Sequence, residues 1–156
     1  MEAVILECGD FPKKEYPREL LRRADVIICC DRALDTFLRH RDKIFKDLRD
    51  PDAIIGDMDS ISPKHLKEYS RIAIREEEQE TNDQTKAFRY LLEHWPEVKT
   101  VHILGATGKR EAHTLGNLGQ IMEYARLYGA SGNPDEDRIY VDAVSDYSTA
   151  FALTDS

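Results

Sequence analysis

Short apolar runs rich in valine and isoleucine recur along this chain of 156 residues and alternate with segments of helical periodicity. Runs of this length and composition are typical of strands that are covered on both faces of a parallel sheet. The predicted strands are Val4–Glu7, Val26–Cys30, Ala53–Gly56, Arg71–Ile74, Thr100–Leu104 and Ile139–Val144. Their alternation with helices predicts an α/β fold, a Rossmann-like three-layer sandwich around a mostly parallel sheet of about six strands.

The segments between these strands carry helical patterns. The predicted helices are Pro17–Arg23, Ala33–His40, Pro63–Tyr69, about Asp83 to Trp95, and about Thr114 to Tyr128. In the helix that begins near Asp83, Phe88 and Leu91 fall on one stripe at helical spacing, which predicts packing in the core. Pro96 and Gly129 end the last two helices, because proline cannot continue a helix and glycine closes one readily.

Composition limits the kinds of partner. The formal net charge is −8 and the sequence pI is near 5.1, which disfavours binding to nucleic acid or to an anionic membrane surface. No apolar run reaches the length of a membrane span, and no signal peptide opens the chain. Cys8, Cys29 and Cys30 have neither the number nor the spacing of a disulfide framework or a zinc site, so we expect reduced thiols in a cytoplasmic protein.

The stretch Gly56-Asp57-Met58-Asp59-Ser60 directly follows a predicted strand. Because side chains two apart on an extended chain point the same way, Asp57 and Asp59 are expected to face one site at the carboxyl end of the sheet. Crowded carboxylates repel each other unless a cation lies between them, and Mg2+ suits this place because it bridges carboxylates and phosphate oxygens. The alternative is a solvated turn in which Ser60 or Ser62 caps a helix.

Acidic residues also follow other predicted strands. Glu80 and Asp83 come after Arg71–Ile74 and could join the same cation, although acids at a helix start also complement the helix dipole. Asp31 follows Val26–Cys30 and could equally be only the cap of the next helix. Several polar strand ends on one edge of a sheet together predict an anionic ligand held through a metal ion.

A loop with two glycines, Gly105-Ala106-Thr107-Gly108-Lys109-Arg110, follows the strand Thr100–Leu104. Glycines permit close approach of a backbone, Lys109 and Arg110 supply positive charge, and the helix beyond offers free N–H groups. The loop is therefore predicted to hold phosphate, although its spacing is not that of a Walker A motif.

His113 and Asn117 lie four residues apart, at the start of the helix that follows this loop. They share one helix face near the predicted phosphate position. A lone histidine in such a place is more often a hydrogen-bonded structural residue than a catalyst.

Taken in this order, these motifs resemble those of the thiamine pyrophosphokinase family. Gly56–Ile61 resembles the family's Gly-Asp-Phe-Asp-Ser-Ile signature, and Gln79–Asp83, followed by Lys86, resembles its Gln-Asp-x-Thr-Asp segment. Gly105–Asn117 is similar to its Gly-(Ala)-x-Gly-Gly-Arg-x-Asp-His-x-x-x-Asn stretch, and Cys30–Ala33 stands where the family has Ala-Asp-Gly-Gly. The similarity spans roughly residues 4 to 125.

The chain departs from the family pattern at a few of these positions. Glu80 stands in place of an aspartate, and Asn82 in place of a threonine. Lys109 replaces a glycine, and Ala112 stands where the family has an aspartate before the histidine. The last change removes a carboxylate that could contact the substrate.

The resemblance implies transfer of the pyrophosphoryl group of ATP to thiamine, giving thiamine diphosphate and AMP, with Mg2+ as cofactor. The Mg2+ ligands it implies are Asp57, Asp59, Glu80 and Asp83. The catalytic residues it implies are Asp57, Asp59, Asp83 and Arg110. The nucleotide-binding positions it implies are Asp31, Ser60, Lys86, Gly105, Thr107, Gly108, Lys109, Arg110, His113 and Asn117.

The resemblance also implies a domain arrangement and a set of partners. Residues 1–135 would form the α/β ATP-binding catalytic domain, and residues 136–156 a linker and the beginning of a β-rich thiamine-binding domain. Most of that second domain is expected to be missing from this chain. The expected partners are ATP, thiamine and a second copy of the chain in a homodimer, with no nucleic acid and no membrane.

Other readings of the same residues stay open. A phosphatase of the haloacid dehalogenase type also places Asp-x-Asp after a buried strand and would use Asp57 as its nucleophile. A nucleotide-sugar transferase could use the same pair to hold a metal diphosphate. A non-catalytic nucleotide-binding module is suggested by Ala112 and by the short segment after Val144.

Overall fold

In the computed structural model, which describes residues 1–76, 83–106, 139–147 and 149–151, seven strands form a single sheet. The strands are β1 Glu2–Leu6, β2 Val26–Cys30, β3 Ala53–Gly56, β4 Ala73–Arg75, β5 Thr100–Leu104, β6 Tyr140–Val144 and β7 Thr149–Phe151. The helices of the described residues are α1 Glu15–Arg23, α2 Ala33–Ile44, α3 Pro63–Glu68 and α4 Asp83–His94. A short 3-10 turn at Ser70–Ile72 leads into β4.

The strands lie in the order β4-β3-β2-β1-β5-β6-β7. Every neighbouring pair from β4 to β6 is parallel, and only β7 runs antiparallel to its neighbour β6. The chain therefore moves outward from β1 to β4, returns through α4 to the other side of β1, and continues outward to β6. This confirms the predicted α/β fold with a mostly parallel sheet, and it puts the reversal of strand order between β1 and β5.

The sheet is covered by apolar side chains on both faces. Alternate residues of β1 belong to different core clusters, because successive side chains of a strand point to opposite faces. Ala3 and Ile5 pack in the same cluster as Phe88 and Leu91 of α4, so the predicted helix stripe is confirmed. The other cluster joins the side chains on the opposite face of the sheet, such as Val4 and Leu6 of β1, to α1 and α2, with Phe37 fully buried within it.

The main differences from the predicted elements lie at their ends. β4 begins at Ala73 rather than Arg71, because Ser70–Ile72 turn before the strand starts. The short antiparallel strand β7 was not predicted. The helix predicted from Thr114 to Tyr128 lies outside the described residues.

The strands β6 and β7 lie in the segment predicted to be a linker and the start of a second domain. Both belong to the same sheet as the earlier strands, with β6 in parallel register beside β5. The boundary at residue 135 and the beginning of a β-rich domain stay predictions. No helix within the described ranges is long and apolar enough to cross a bilayer. Within the described residues the three cysteines form no disulfide, and Cys29 and Cys30 are buried.

A carboxylate from the turn after β6 holds the start of α1. Lys14, the N-cap residue of α1, makes no side-chain capping bond. Instead, Asp146 accepts hydrogen bonds from the backbone N–H groups of Lys13, at 3.0 and 3.1 Å, and of Lys14, at 2.9 Å. Asp146 therefore acts as a cap supplied from a distant part of the chain, and it ties the loop after β1 to the turn after β6.

We expect the change Asp146→Ala to lower the free energy of unfolding by about 1 kcal/mol, because it leaves these N–H groups without their acceptor. Urea denaturation monitored by circular dichroism measures the loss. Asp146→Asn keeps one acceptor oxygen and should lose less. Equal stability of the alanine variant and the unaltered chain would show that this cap contributes nothing.

Candidate functional site

Acidic side chains gather at the carboxyl ends of the central strands. Glu7 follows β1, Asp31 follows β2, Asp57 follows β3, and Asp83 is the first residue of α4. Because β1, β2 and β3 are parallel neighbours, their carboxyl ends form one row. We call these four residues the acidic edge. Their charges act on one another, since both Asp57 and Asp83 raise the pKa of Asp31.

A glycine makes room for Asp31. The Asp31 side chain is 8% exposed, and its backbone has the left-handed φ of 50°. A Cβ atom at Gly56 would lie 3.1 Å from the Cβ and Cγ atoms of Asp31, and Gly56 itself has a φ of 151°. The glycine that precedes Asp57 in the sequence motif therefore lets the Asp31 side chain lie against the end of β3.

Asp31 and Asp57 form a carboxyl–carboxylate pair. The pKa of Asp31 is raised to about 6, first by burial and then by the hydrogen bond and the charge of Asp57, whereas a hydrogen bond with Ser60 opposes the rise. The pKa of Asp57 is lowered, first by the N–H of Asp59 and then by the hydrogen bond from Asp31. Asp31 is therefore the member of the pair that takes up a proton first as the pH falls.

The turn after β3 differs from the extended chain that was expected there. Met58 has a φ of 72° and a buried side chain, so the backbone turns at this residue. The N–H of Asp59 then folds back to donate to Asp57 Oδ1 at 2.9 Å. The expected extended backbone from Asp57 to Asp59 is wrong, because the strand ends at Gly56 and the chain turns at Met58. That the two carboxylates face one site stays a prediction. Asp57 is half-buried and Asp59 is exposed.

Cationic side chains flank the acidic edge. Lys86 lies three residues after Asp83 in α4 and donates from Nζ to the carbonyl oxygen of Glu76 at 3.2 Å. Its positive charge lowers the pKa of both Asp57 and Asp83. Burial is the larger effect on Asp83, whose pKa is raised overall. Arg75 donates to the carbonyl oxygen of Asp57 at 2.9 Å. The edge is therefore acidic at its centre and has positive charge at its rim.

Glu7 is a member of the acidic edge that the sequence motifs did not single out. It was placed inside the first predicted strand, but β1 ends at Leu6 and Glu7 starts the loop that follows. The pKa of Glu7 is raised to about 7, mainly by burial and to a smaller extent by the charge of Asp83, while a hydrogen bond with Cys30 opposes the rise. The signal that could have found it is the one that marked Asp57, an acid directly after a buried apolar run.

Gly105 packs against the backbone of the β1 loop. Its φ is 73°, and a Cβ atom there would lie 2.4 Å from the carbonyl oxygen of Glu7, which leaves no room for any side chain. The N–H of Glu7 donates to Leu104 and the N–H of Gly9 donates to Gly105, each at 2.7 Å. The glycine is thus explained by close approach of two loops, and its predicted contact with a nucleotide stays a prediction.

Several predicted site residues lie outside the described residues. They are Glu80, Thr107, Gly108, Lys109, Arg110, His113 and Asn117, together with the departure at Ala112. In the part of the chain that the structure describes, no group of three or more His, Cys, Asp or Glu side chains is arranged to hold a metal ion. The described acids by themselves therefore form a negatively charged edge and not a closed metal cage.

Together, the doubly wound sheet and the acidic edge define a Rossmann-like α/β protein with acids clustered at the carboxyl ends of its strands. The family model described as the thiamin pyrophosphokinase catalytic domain matches residues 17–128, well over half of the chain. The chain belongs to this family, as the sequence motifs predicted.

Solved structures of this family share the fold. The thiamin pyrophosphokinase from Candida albicans matches with a TM-score of 0.68 at 20% identity, over 92% of this chain and 58% of that one. The yeast thiamin pyrophosphokinase matches with a TM-score of 0.72 at 17% identity, over the same shares, 92% and 58%. A family protein from Enterococcus faecalis gives 0.67 at 21% identity, over 94% of this chain and 62% of that one.

Structural matches at such low sequence identities establish the fold alone. This chain also spans less than two thirds of the length of each of these three structures. Comparison with curated proteins gives no significant match.

The buried Glu7 predicts a dependence of stability on pH. Its pKa in the folded chain, about 7, lies above the ordinary 4.5, so the folded state binds this proton more tightly than the unfolded state does. The resulting stability is present at pH values below the ordinary pKa and is lost as the pH rises through about 7. We expect Glu7→Gln to flatten the decline in stability between pH 5 and pH 8 by on the order of 2–3 kcal/mol.

Urea denaturation at a series of pH values, with a chelator present, tests this expectation. Glu97→Gln is the matched control, because Glu97 is exposed in the loop before β5. Parallel pH curves for the two variants would contradict the burial effect assigned to Glu7.

Proposed function

We propose that this chain carries out, or contributes the catalytic domain for, transfer of the pyrophosphoryl group of ATP to thiamine, giving thiamine diphosphate and AMP with Mg2+ as cofactor. The observation that carries the proposal is the family match over residues 17–128, which includes both acidic motifs. The placement of Asp31, Asp57 and Asp83 along one edge of the sheet supports it.

The donor atoms at this edge suit a hard divalent cation. Carboxylate oxygens are the ligands that Mg2+ prefers, and Asp31 Oδ1 is buried without a hydrogen-bond partner in the described part of the chain. Asp57, Asp59 and Asp83 would hold the cation, with Glu80 as a further ligand. When bound, Mg2+ would offset the charge of the phosphates.

The other tasks in such a transfer are positioning and electrostatic stabilisation, which protein groups can supply directly. Asp31 fixes the orientation of Asp57 through their shared hydrogen bond, and the N–H of Asp59 fixes it from the other side. Lys86 offers an ammonium group beside Asp83 that can attract a phosphate oxygen. These contacts hold the ionised groups in place before a substrate arrives.

The loop Gly105–Arg110 and the residues just beyond it complete the proposal. Its backbone and Lys109 would contact the phosphates of ATP, and Arg110 would offset charge on the transferred group. His113 and Asn117 would lie beside them. We also propose, by the same family relationship, that the protein is a cytoplasmic homodimer.

Family membership favours pyrophosphoryl transfer over the phosphatase and nucleotide-sugar transferase readings. A non-catalytic nucleotide-binding module is the second candidate, because Ala112 replaces a carboxylate of the family pattern. The two candidates share ATP binding and differ in turnover.

We expect calorimetry to detect ATP binding that requires Mg2+, because the phosphates and the acidic edge repel each other without the cation. Incubation with ATP, Mg2+ and thiamine should then release AMP and thiamine diphosphate in equal amounts, measured by chromatography. Binding without AMP release would favour the second candidate. Absence of metal-dependent ATP binding would end both.

Asp59→Asn gives a sharper test of the cation ligands. The Asp59 carboxylate is exposed and has no hydrogen bond or ion pair within the described residues, so its loss should leave the urea midpoint unchanged. We expect Mg2+-dependent ATP affinity to fall at least about tenfold. Asp47→Asn, at an exposed loop position before β3, is the matched control. Unchanged ATP affinity in Asp59→Asn would remove this residue from the site.

A further inference from the structure

The loop between β3 and α3, residues 57–62, carries both acids of the first motif and packs against α2. We call it the acidic loop. Met58 and Ile61 lie between its polar residues and are buried, with 4% and 5% of their surface exposed. Both belong to the core cluster that contains Leu34 and Phe37 of α2. The conformation of the acidic loop therefore depends on its contacts with this helix.

Two carboxylates at the start of α2 bind the two ends of the acidic loop. Asp31, just before the helix, forms hydrogen bonds with Asp57 and Ser60. Asp35, in the first turn of α2, accepts a hydrogen bond at Oδ2 from the backbone N–H of Ser62, at 3.0 Å. The start of α2 thus contacts the loop at its beginning through Asp31 and at its end through Asp35.

The other carboxylate oxygen of Asp35 binds a histidine of α3. His65 Nδ1 lies 2.5 Å from Asp35 Oδ1, and only 27% of the histidine side chain and 21% of the aspartate side chain are exposed. Because an ionised carboxylate only accepts hydrogen bonds, Nδ1 carries the hydrogen of this bond. With both of its oxygens bound, Asp35 is held in one orientation, which fixes the acceptor for the N–H of Ser62.

Helix α3 depends on such contacts for its position. It has six residues, none of which is buried, and its N-cap residue Ser62 makes no side-chain capping bond. An isolated helix of this length is unstable in water, so the rest of the fold must hold it. Asp35 supplies two contacts, one to the backbone of the N-cap and one to His65 in the first turn. The acidic loop therefore ends at a point that Asp35 fixes.

We propose that Asp35 and His65 are positioning residues of the candidate site, which together hold the acidic loop in the turn that carries Asp57 and Asp59. The inference rests on the proposed function, since it assumes that this loop takes part in binding ATP with Mg2+. Asp35 and His65 act through Ser62 and the start of α3, without contact to the substrate. Both lie outside the motifs that carry the family resemblance.

Backbone order parameters measured by NMR test the effect of this pair on the loop. Asp35→Ala removes both hydrogen bonds of the carboxylate. We expect the order parameters of Met58 and Asp59 to fall from about 0.85, the value of a rigid backbone, toward about 0.6. Asp146→Ala is the matched control, because it removes a carboxylate that accepts backbone N–H bonds at the start of another helix. An acidic loop that stays rigid in Asp35→Ala would overturn the proposal.

Calorimetry with ATP and Mg2+, under conditions in which every variant is fully folded, tests the effect on binding. We expect Asp35→Ala to bind ATP about fivefold more weakly and Asp146→Ala to bind it as the unaltered chain does. Asp35→Asn should retain the affinity, because its amide oxygen can accept from Ser62 and its amide N–H can donate to Nδ1 of His65 in the other tautomer. Equal weakening in Asp35→Asn and Asp35→Ala would contradict a role that acts through these hydrogen bonds.

A second variant keeps the test available if Asp35→Ala does not fold. His65→Ala keeps the bond between Asp35 and Ser62 but frees the other carboxylate oxygen, so we expect about twofold weaker ATP binding. His65→Asn should restore it, because its amide N–H can take the place of Nδ1–H. Unchanged affinity in His65→Ala would remove the histidine from the proposed pair.

The outcomes separate this proposal from the proposed function. Unchanged ATP affinity in Asp35→Ala, with weakened affinity in Asp59→Asn, overturns the positioning role and leaves the proposed function standing. No Mg2+-dependent ATP binding by the unaltered chain ends the proposed function and the positioning role together.

Discussion

Parallel pairing of β1, β2 and β3 is the constraint on which the rest of the structure depends. Parallel strands end on the same side, so every loop that leaves them starts on one edge. Acids placed after separate strands then become neighbours although they are far apart in the chain. The same pairing places these strand ends next to the two apolar clusters of the core. Burial there makes the ionised form of a carboxyl group less favourable.

Hydrogen bonds within the acidic edge partly offset the unfavourable burial of these carboxyl groups. Asp31 takes up a proton more readily than Asp57, and the N–H of Asp59 stabilises the ionised Asp57. Glu7 has less compensation, since the hydrogen bond with Cys30 only partly opposes the effect of burial. Under the proposed function, a bound cation would offset this imbalance. Proteins commonly accept such local destabilisation where a ligand binds.

Two glycines show how the fold permits these contacts. Gly56 leaves space for the side chain of Asp31, and Gly105 leaves space for the backbone of the β1 loop. Neither contact is with a ligand, so each glycine serves the protein's own packing. Gly56 and Gly105 therefore have a structural reason that is independent of any nucleotide contact.

The amino-acid sequence by itself determined the types and order of the described elements except β7, the mostly parallel sheet, and the acids that follow β2 and β3. These features depend on local periodicity and on residues next to each other in the chain, such as the apolar run before Asp57. Only the tertiary structure decided that Glu7 is buried, that Asp57 raises the pKa of Asp31, and that Asp59 lies on an exposed turn. Burial and shared hydrogen bonds depend on which strand lies beside which, and the turn at Met58 depends on a backbone conformation that local pattern does not reveal.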